Sequence, residues 1–340
     1  NEPLRDRLEE LRRHRSVVQR LVARLERDWD RLATPALSKQ LAEVELPDHQ
    51  RDVANDLDLL GKASLFHLVS MAATRPGIRT LAGWLAGPAD ASIAIQRAAA
   101  VDALAPLRDQ RLRFYTLARQ VGESTGDPDH FVQWATGEPW LAKRRWLVTW
   151  ATLSSVIAVS LFASAILIAV GPLPSEWFRY CLIGLAALIA INLLLTAAML
   201  GPAHGIFAIA MANRRAVRNY EEIFSAADCL PQANAAESGS APTAPTGSHE
   251  MLFRIRETML NGDHSAVEGM RALQKVAAAG GLRQSAGTFL LYLPLQSLGL
   301  WDVKVLRRLE DWQARYAGDV RRWFDALGEL ESLMSIAALR

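Results

Sequence analysis

Apolar positions along this chain fall into three patterns, and each predicts a different kind of helix. Between Leu4 and Leu32 the pattern is heptad: Leu4, Leu11, Val18, Leu25 and Leu32 lie seven apart, Leu8, Val22 and Trp29 fall four after the first set, and Arg15 is the polar exception. With Arg and Glu on the other faces, this predicts a long amphipathic helix with a coiled-coil-like seam. From Trp146 to Ser175, and again from Tyr180 to Asn213, there is no charged residue, counting His204 as neutral. A membrane span needs about 20 apolar residues at ~1.5 Å rise each, which Leu147–Val170 and Tyr180–Leu200 supply. The third pattern covers Trp301–Leu339, where Val305, Leu309, Trp312, Tyr316, Val320, Trp323, Leu327, Leu330 and Leu333 recur at helical spacing and predict a second long amphipathic helix.

Shorter helices and their punctuation fill the rest. Thr34-Pro35 breaks the first helix and Pro47-Asp48 marks a loop. Ser64 is placed to cap a helix Leu65–Thr74, which Arg75-Pro76-Gly77 ends. A helix Ile78–Ala86 runs to Gly87-Pro88. The next starts near Asp90 or Ser92 and reaches Leu104, Pro106 interrupts it, and another continues to Val121 before the loop Gly122–Pro128. Beyond the apolar pair, Ile206–Leu230 reads as helix, and Pro231–Ser248, rich in Ala, Ser, Gly, Pro and Thr, as a flexible linker. Helices resume at Met251–Asn261 and Ser265–Ala279, with Gly280-Gly281 after them. Gly287–Leu300 is strongly apolar and contains Pro294; it is too short for a comfortable span and reads as a buried or interfacial segment. No strand and no internal repeat is predicted. The fold class is all-α, interrupted by a two-helix transmembrane hairpin, in four consecutive segments: 1–50, 51–140, 141–213 and 214–340.

The flanks orient the hairpin. Lys143, Arg144 and Arg145 precede the first span, Arg214, Arg215 and Arg218 follow the second, and the connection Gly171–Arg179 carries only Glu176 and Arg179. The positive-inside rule puts both basic flanks in the cytoplasm. Trp146, Trp150, Trp177 and Tyr180 sit where aromatic rings prefer the interface, and Gly171, Pro172 and Pro174 force the reversal. No Asp, Glu, Lys or Arg lies inside either span, which argues against a proton relay or a transporter. Asn192, Ser155, Ser160, Ser164 and the small pair Gly184 and Ala187 suit helix–helix packing in an anchor.

Composition narrows this picture a little. Half of the 340 residues are hydrophobic and 22% are charged, so the chain can bury a core. A net charge of +2 makes no broad electrostatic case for nucleic acid. The two cysteines, Cys181 and Cys229, read as unpaired thiols of a reducing compartment. A start at Asn1 and an end at Leu339-Arg340 within a predicted helix make both termini read as cuts in a longer polypeptide.

Candidate chemistry is sparse. Gly61-Lys62 invites a phosphate-loop reading, but Asp56 stands where the first Gly belongs and Ala63 where a hydroxyl should hold Mg²⁺. The histidines, His14, His49, His67, His130, His204, His249 and His264, are scattered, with no metal-ligand spacing. Asp56 and Asp58 suit capping or ion pairing better than a metal. Ser64 shows no His or Lys partner and is not a nucleophile by this reading. No catalytic, cofactor-binding or metal-ligating residue is assigned, and DNA-contacting residues are not identified.

Residues 51–135 nevertheless carry an order of parts, NDLDLLGKASLFHLVSMAATRPGIRTLAGWLAGP and beyond, that resembles the start of the core domain of MutS-family DNA mismatch-repair proteins. Leu57, Leu59, Gly61, Ser64, Leu65, Phe66, Leu68, Thr74, Gly77, Leu81, Trp84, Leu85 and Pro88 carry it, and the helix Ile93–Leu104, with Gln96, Arg97, Ala100 and Val101, fits as well. Trp323–Leu339 resembles the end of that core, the helix before the ATPase domain. With a membrane hairpin and a linker in place of the DNA clamp, the chain looks like a membrane-associated branch of the family.

The resemblance implies a helical core and lever, a dimer, duplex DNA as a partner beside the lipid bilayer, and ATP with Mg²⁺ bound only in a domain beyond Arg340. The Phe-x-Glu element with which the family reads mismatches is not matched, since Phe253-Arg254-Ile255 lacks the Glu. The expected location is a bacterial-type inner membrane, multi-pass, with both termini cytoplasmic. A different class of protein fits the same patterns: a non-enzymatic membrane scaffold that dimerises through Leu4–Leu32 and Trp301–Leu339.

Overall fold

The structure, a computed structural model, describes residues 2–124, 128–171, 176–211, 214–231, 250–262, 264–283 and 286–340. The described residues form helices and turns with no strand, as the all-α reading expects. The linker expected at Pro231–Ser248 lies, beyond Pro231, outside them, as do the tips of the loops after Gly122 and Gly171. Two compact units interleave along the sequence rather than following four consecutive segments. One comprises Asn1–Pro128, Arg215–Met270 and Asp319–Arg340; the other comprises Asp129–Arg214 and Arg271–Gly318.

The first unit opens with α1 (Glu2–Glu26) and α2 (Trp29–Leu32). The predicted helix to Leu32 breaks between them because Arg27 adopts a left-handed φ of 53° and the Asp28 side chain accepts from the Arg31 N–H as a cap, starting a new helix. The heptad seam also faces outward: Leu4, Leu11 and Leu25 are exposed, Leu25 to 86%, while Val17, Arg20, Ala23 and Arg24 form the buried face. Thr34 then caps α3 (Pro35–Ala42), with Pro35 in its first turn, and α4 (Asp48–Asp56) follows.

The Ser64–Ala86 region departs most from its prediction. Instead of a helix to Thr74, α5 stops at Val69 (Leu65–Val69), and residues from Ser70 to Thr74 run extended. Arg75-Pro76-Gly77 starts a helix rather than ending one: α6 (Arg75–Ala86) has Pro76 in its first turn and Thr74 at its N-cap, accepting from the Gly77 N–H at 3.2 Å. A proline costs nothing there, since its missing N–H is one that a first turn leaves unpaired. Leu37, Leu41, Phe66, Val69, Ala72, Ile78, Leu81 and Ala82 close over one another as a core cluster. The unit continues with α7 (Ala91–Leu104), α8 (Arg108–Ser124), α12 (Arg214–Ser225) and α13 (Glu250–Arg256), the last extended by a wider turn to Asn261.

The second unit holds the apolar helices. After α9 (Pro128–Thr136), α10 (Arg145–Val170) and α11 (Glu176–Met211) are both long and apolar enough to cross a membrane. Trp150 bonds to Asn192 and Leu161 lies against Gly184, the register of an antiparallel hairpin. Few residues of either helix are buried within the chain, and Val159, Phe162, Leu167 and Leu194 are exposed. A bare, uncharged surface of this length belongs in lipid. Two further helices, α14 (Ala266–Gly280), in this unit from Arg271 on, and α15 (Ala286–Gly299), lead into α16 (Trp301–Ala337). Of α16, the residues to Gly318 belong to the second unit and those from Asp319 to the first. In the second unit Trp312 stacks on Trp134 with ring centres 5.7 Å apart, and the Glu310 carboxylate accepts from the Leu141 N–H.

Within the first unit, α6 and α16 meet at glycines. A Cβ at Gly328 would stand 2.7 Å from the Pro76 carbonyl oxygen, while one at Gly318 would meet nothing within 4 Å. Gly328→Ala is therefore expected to lower the unfolding free energy of the detergent-solubilised chain by about 1–3 kcal/mol through overpacking. Gly318→Ala, in the same helix, is expected to raise it by about 0.5–1 kcal/mol through helix propensity alone. Denaturant titrations of the two variants check the opposite signs.

Candidate functional site

The extended stretch from Ser70 to Thr74 cannot satisfy its own backbone, so its N–H groups need partners elsewhere. Ser70 and Ala72 find theirs locally, on the Phe66 carbonyl and Ser70 Oγ, and the other three find theirs on one face of α16. The Met71 N–H donates to Ser335 Oγ at 3.0 Å, and the Ala73 and Thr74 N–H groups donate to Glu331 Oε1 at 2.7 and 3.3 Å. The Thr74 hydroxyl bonds to the other carboxyl oxygen of Glu331. Glu331 and Ser335 stand one turn apart, so a single helical face presents both. Gly77 provides the room, since a Cβ there would collide with the Glu331 carboxyl, and Gly122 lets α8 approach the Ala73 carbonyl.

Glu331 is completely buried. Burial pushes its carboxyl up to about 7, against the pull of the three hydrogen bonds that favour the ionised form. The last turn of α16 is held as well: Tyr115 OH donates to the Met334 carbonyl, Arg24 reaches the Ser335 carbonyl at 3.4 Å, and Arg340 pairs with Asp102. Arg20 closes the other side, donating from Nε to the Ser70 carbonyl at 3.0 Å, from Nη1 to Leu32 at 3.1 Å and from Nη2 to His67 at 3.3 Å. These contacts make a mechanical joint. Sliding α16 along its axis would break the Glu331 and Ser335 bonds together.

Ser64 does have a histidine partner. Its Oγ lies 3.1 Å from His67 Nδ1, and His67 Nε2 lies 3.4 Å from Ser38 Oγ. The i, i+3 spacing on a helix brings the first pair together, a signal present in the sequence and overlooked. Both side chains are buried, and burial, with Arg20 nearby, pushes the His67 imidazole below its ordinary value. The pair lies under the surface with a hydroxyl where a carboxylate would orient a catalytic histidine, and it ties α3 to α5. Asp58 adopts a positive φ of 47° beside Gly61 in the turn before α5. Among the described residues no three His, Cys, Asp or Glu side chains gather as metal ligands.

The second unit carries a polar network inside its apolar hairpin. Asn192 is fully buried. Its Oδ1 accepts from Trp150 Nε1 at 3.0 Å, and its Nδ2 donates to the Ser297 carbonyl at 2.8 Å. Gln296 Nε2 donates to Thr196 Oγ1 at 2.8 Å, and Lys304 Nζ donates to Ser155 Oγ at 2.7 Å. Asn192 and Ser155, expected to pack helix against helix, thus bind α15 and the start of α16 to the spans. The cleft between the outer halves of α10 and α11 is lined by Leu161, Phe162, Ile166, Phe178, Cys181 and Leu185 among others and presents no acid, base or hydroxyl.

Comparison of the chain with protein-family models, with curated proteins and with solved structures found no match.

Proposed function

We propose that this chain is the non-catalytic core and lever portion of a membrane-anchored MutS-like protein. In this reading α16 couples an ATP-binding domain to duplex DNA or to a membrane partner. The observation that carries it is the joint between Thr74 and Glu331, 257 residues apart in sequence. Of the two stretches that resemble the beginning and the end of a MutS core, 51–135 and 323–339, the first as far as Pro128 and the whole of the second fall in one unit. The hairpin is the anchor, with Lys143, Arg144, Arg145 and Arg218 on the cytoplasmic side of an inner membrane and both termini beside them. ATP and Mg²⁺ would bind outside this chain.

The full-length polypeptide, reconstituted in nanodiscs, tests this by two titrations. One measures ATP binding. The other measures duplex DNA binding as salt is raised, where phosphate contacts give an affinity that falls steeply with salt. Binding of both is expected; absence of both removes the motor reading.

The exposed heptad stripe of α1 favours a second reading, a membrane scaffold that dimerises through that helix. Leu4, Leu8, Leu11, Val18, Val22 and Leu25 lie bare along it, as the seam of a two-stranded coiled coil requires. The corresponding stripe of α16 is buried within the chain, so the seam would be α1 alone. Dimers without nucleotide or DNA binding are its signature.

A further inference from the structure

The exposed side of helix α15 is apolar throughout, and most of the helix is uncovered. Phe289, Leu290, Leu291, Leu293 and Leu295 are exposed, Leu290 to 75% and Leu291 to 62%, and only a narrow stripe through Tyr292, Gln296 and Leu300 is buried. We propose that α15 is a third membrane-embedded element, a short helix held among the lipid acyl chains without crossing the bilayer. The proposal rests on the reading of α10 and α11 as spans.

Four observations carry it. An interfacial helix has a polar face for water, and α15 has none. Its 14 residues reach about 21 Å, short of the ~30 Å hydrocarbon layer. Its hydrogen-bond partners on the spans, Asn192 and Thr196, stand in the charge-free run of α11. Around the docking residues in sequence, Leu153, Val156 and Val159 of α10 and Leu193 and Leu194 of α11 are likewise apolar and exposed.

The polar groups at the C-terminal end of α15 are satisfied by the spans, as hydrocarbon requires. Asn192 takes the Ser297 carbonyl, and Thr196 takes Gln296. Gln296 in turn accepts from the Asp302 N–H at 2.9 Å. The chain then turns by 87° into α16, through Leu300 at a φ of 47°. Asp302, Lys304, Arg307, Arg308, Glu310 and Asp311 follow at once and cannot enter lipid. Both flanks of α15 therefore stay on the side of Arg145.

Single cysteines in the full chain, with Cys181 and Cys229 replaced by alanine, test this in liposomes. A nitroxide at Leu290→Cys is expected to behave like one at Ile166→Cys in α10. Both should show about tenfold fewer collisions with an aqueous nickel chelate than with oxygen, since ions are excluded from hydrocarbon. Lys275→Cys and Arg307→Cys are expected to react with an impermeant maleimide from the same side. Nickel-dominated collisions at 290 with a lipid-like 166 would place α15 in water, and low collision rates with both reagents at 290 would mean a protein covers it. Labelling of the two flanks from opposite sides would make α15 part of a third crossing. Each of these overturns the proposal and leaves the hairpin intact. An aqueous 166 would instead sink the hairpin reading, and this one with it.

Discussion

At about pH 5, Glu331→Ala is expected to unfold more easily than the unaltered chain by about 3–5 kcal/mol, because two backbone N–H groups lose their only acceptor in a buried site, at about 1–3 kcal/mol each, and a void is left. Glu331→Gln is expected to behave oppositely as pH rises. Its amide has the shape and hydrogen-bonding pattern of the protonated acid, with an oxygen to accept from Ala73 and Thr74 and an NH₂ to donate to the Thr74 hydroxyl. The folded state holds the Glu331 carboxyl at about 7, against an ordinary value of 4.5. A raised carboxyl contributes stability below its unfolded value and loses it as pH climbs through the folded one. The gap corresponds to about 3 kcal/mol lost between roughly pH 4.5 and 7.

Glu331→Gln should therefore equal the unaltered chain near pH 4.5 and exceed it by up to about 3 kcal/mol near pH 8. Hydrogen exchange at Met71, Ala73 and Thr74, with denaturant titrations in detergent at both pH values, checks the pair of variants. A Gln variant whose advantage does not change with pH would show that Glu331 does not ionise in the fold. If the joint is the root of a lever, its grip loosens as pH rises from about 4.5 to 7 and changes little beyond that.

How much of this was legible in the sequence depends on how local the cause is. The two spans were readable because lipid selects composition residue by residue, so an uncharged run announces itself without any partner. The Thr34 and Thr74 caps depend on side chains within three residues of the bonds they make, yet Thr34-Pro35 reads as a break and Arg75-Pro76-Gly77 as a stop, where a Pro one or two residues after Thr marks a start. The extended stretch from Ser70 to Thr74 was not readable. Its apolar pattern suits a helix, and what pulls it straight is Glu331 and Ser335, far along the chain and themselves unremarkable on an amphipathic helix.

The heptad of α1 shows the complementary case. Leucines seven apart predict a coiled-coil-like seam, whereas the face that α1 buries within this chain carries Val17, Arg20, Ala23 and Arg24, whose arginines donate to helix ends. Asn192 was read as packing glue between two spans; its second partner, the Ser297 carbonyl of α15, could not be inferred before α15 was seen to dock there.

Those two arginines supply the second large effect. They lie one turn apart on the buried face of α1, yet replacing them is expected to have unlike consequences. Arg20 spreads three nitrogens over the carbonyls of Leu32, His67 and Ser70, the last turns of α2 and α5, where helices leave carbonyls unpaired and their dipoles favour a cation. Burial first, and then Arg119 and Arg24, push its guanidinium down to about 10, which still leaves it charged at neutral pH. Arg20→Ala strands three buried carbonyls and is expected to cost about 4 kcal/mol. Arg20→Lys, a point donor without the fork, should recover about half of that at most.

Arg24 makes a single long bond to the Ser335 carbonyl, and its Nη1 is buried without a hydrogen-bond partner. Its charge is desolvated for little return, so Arg24→Met, which keeps the stem and drops the head, is expected to be neutral or to stabilise by about 1 kcal/mol. Unfolding of the full chain in detergent at pH 7 separates the two. Equal losses at both positions would mean that α1 is held by the bulk of its side chains and not by the fork of Arg20, and the joint at Ser70–Thr74 would then owe its shape to α16 alone.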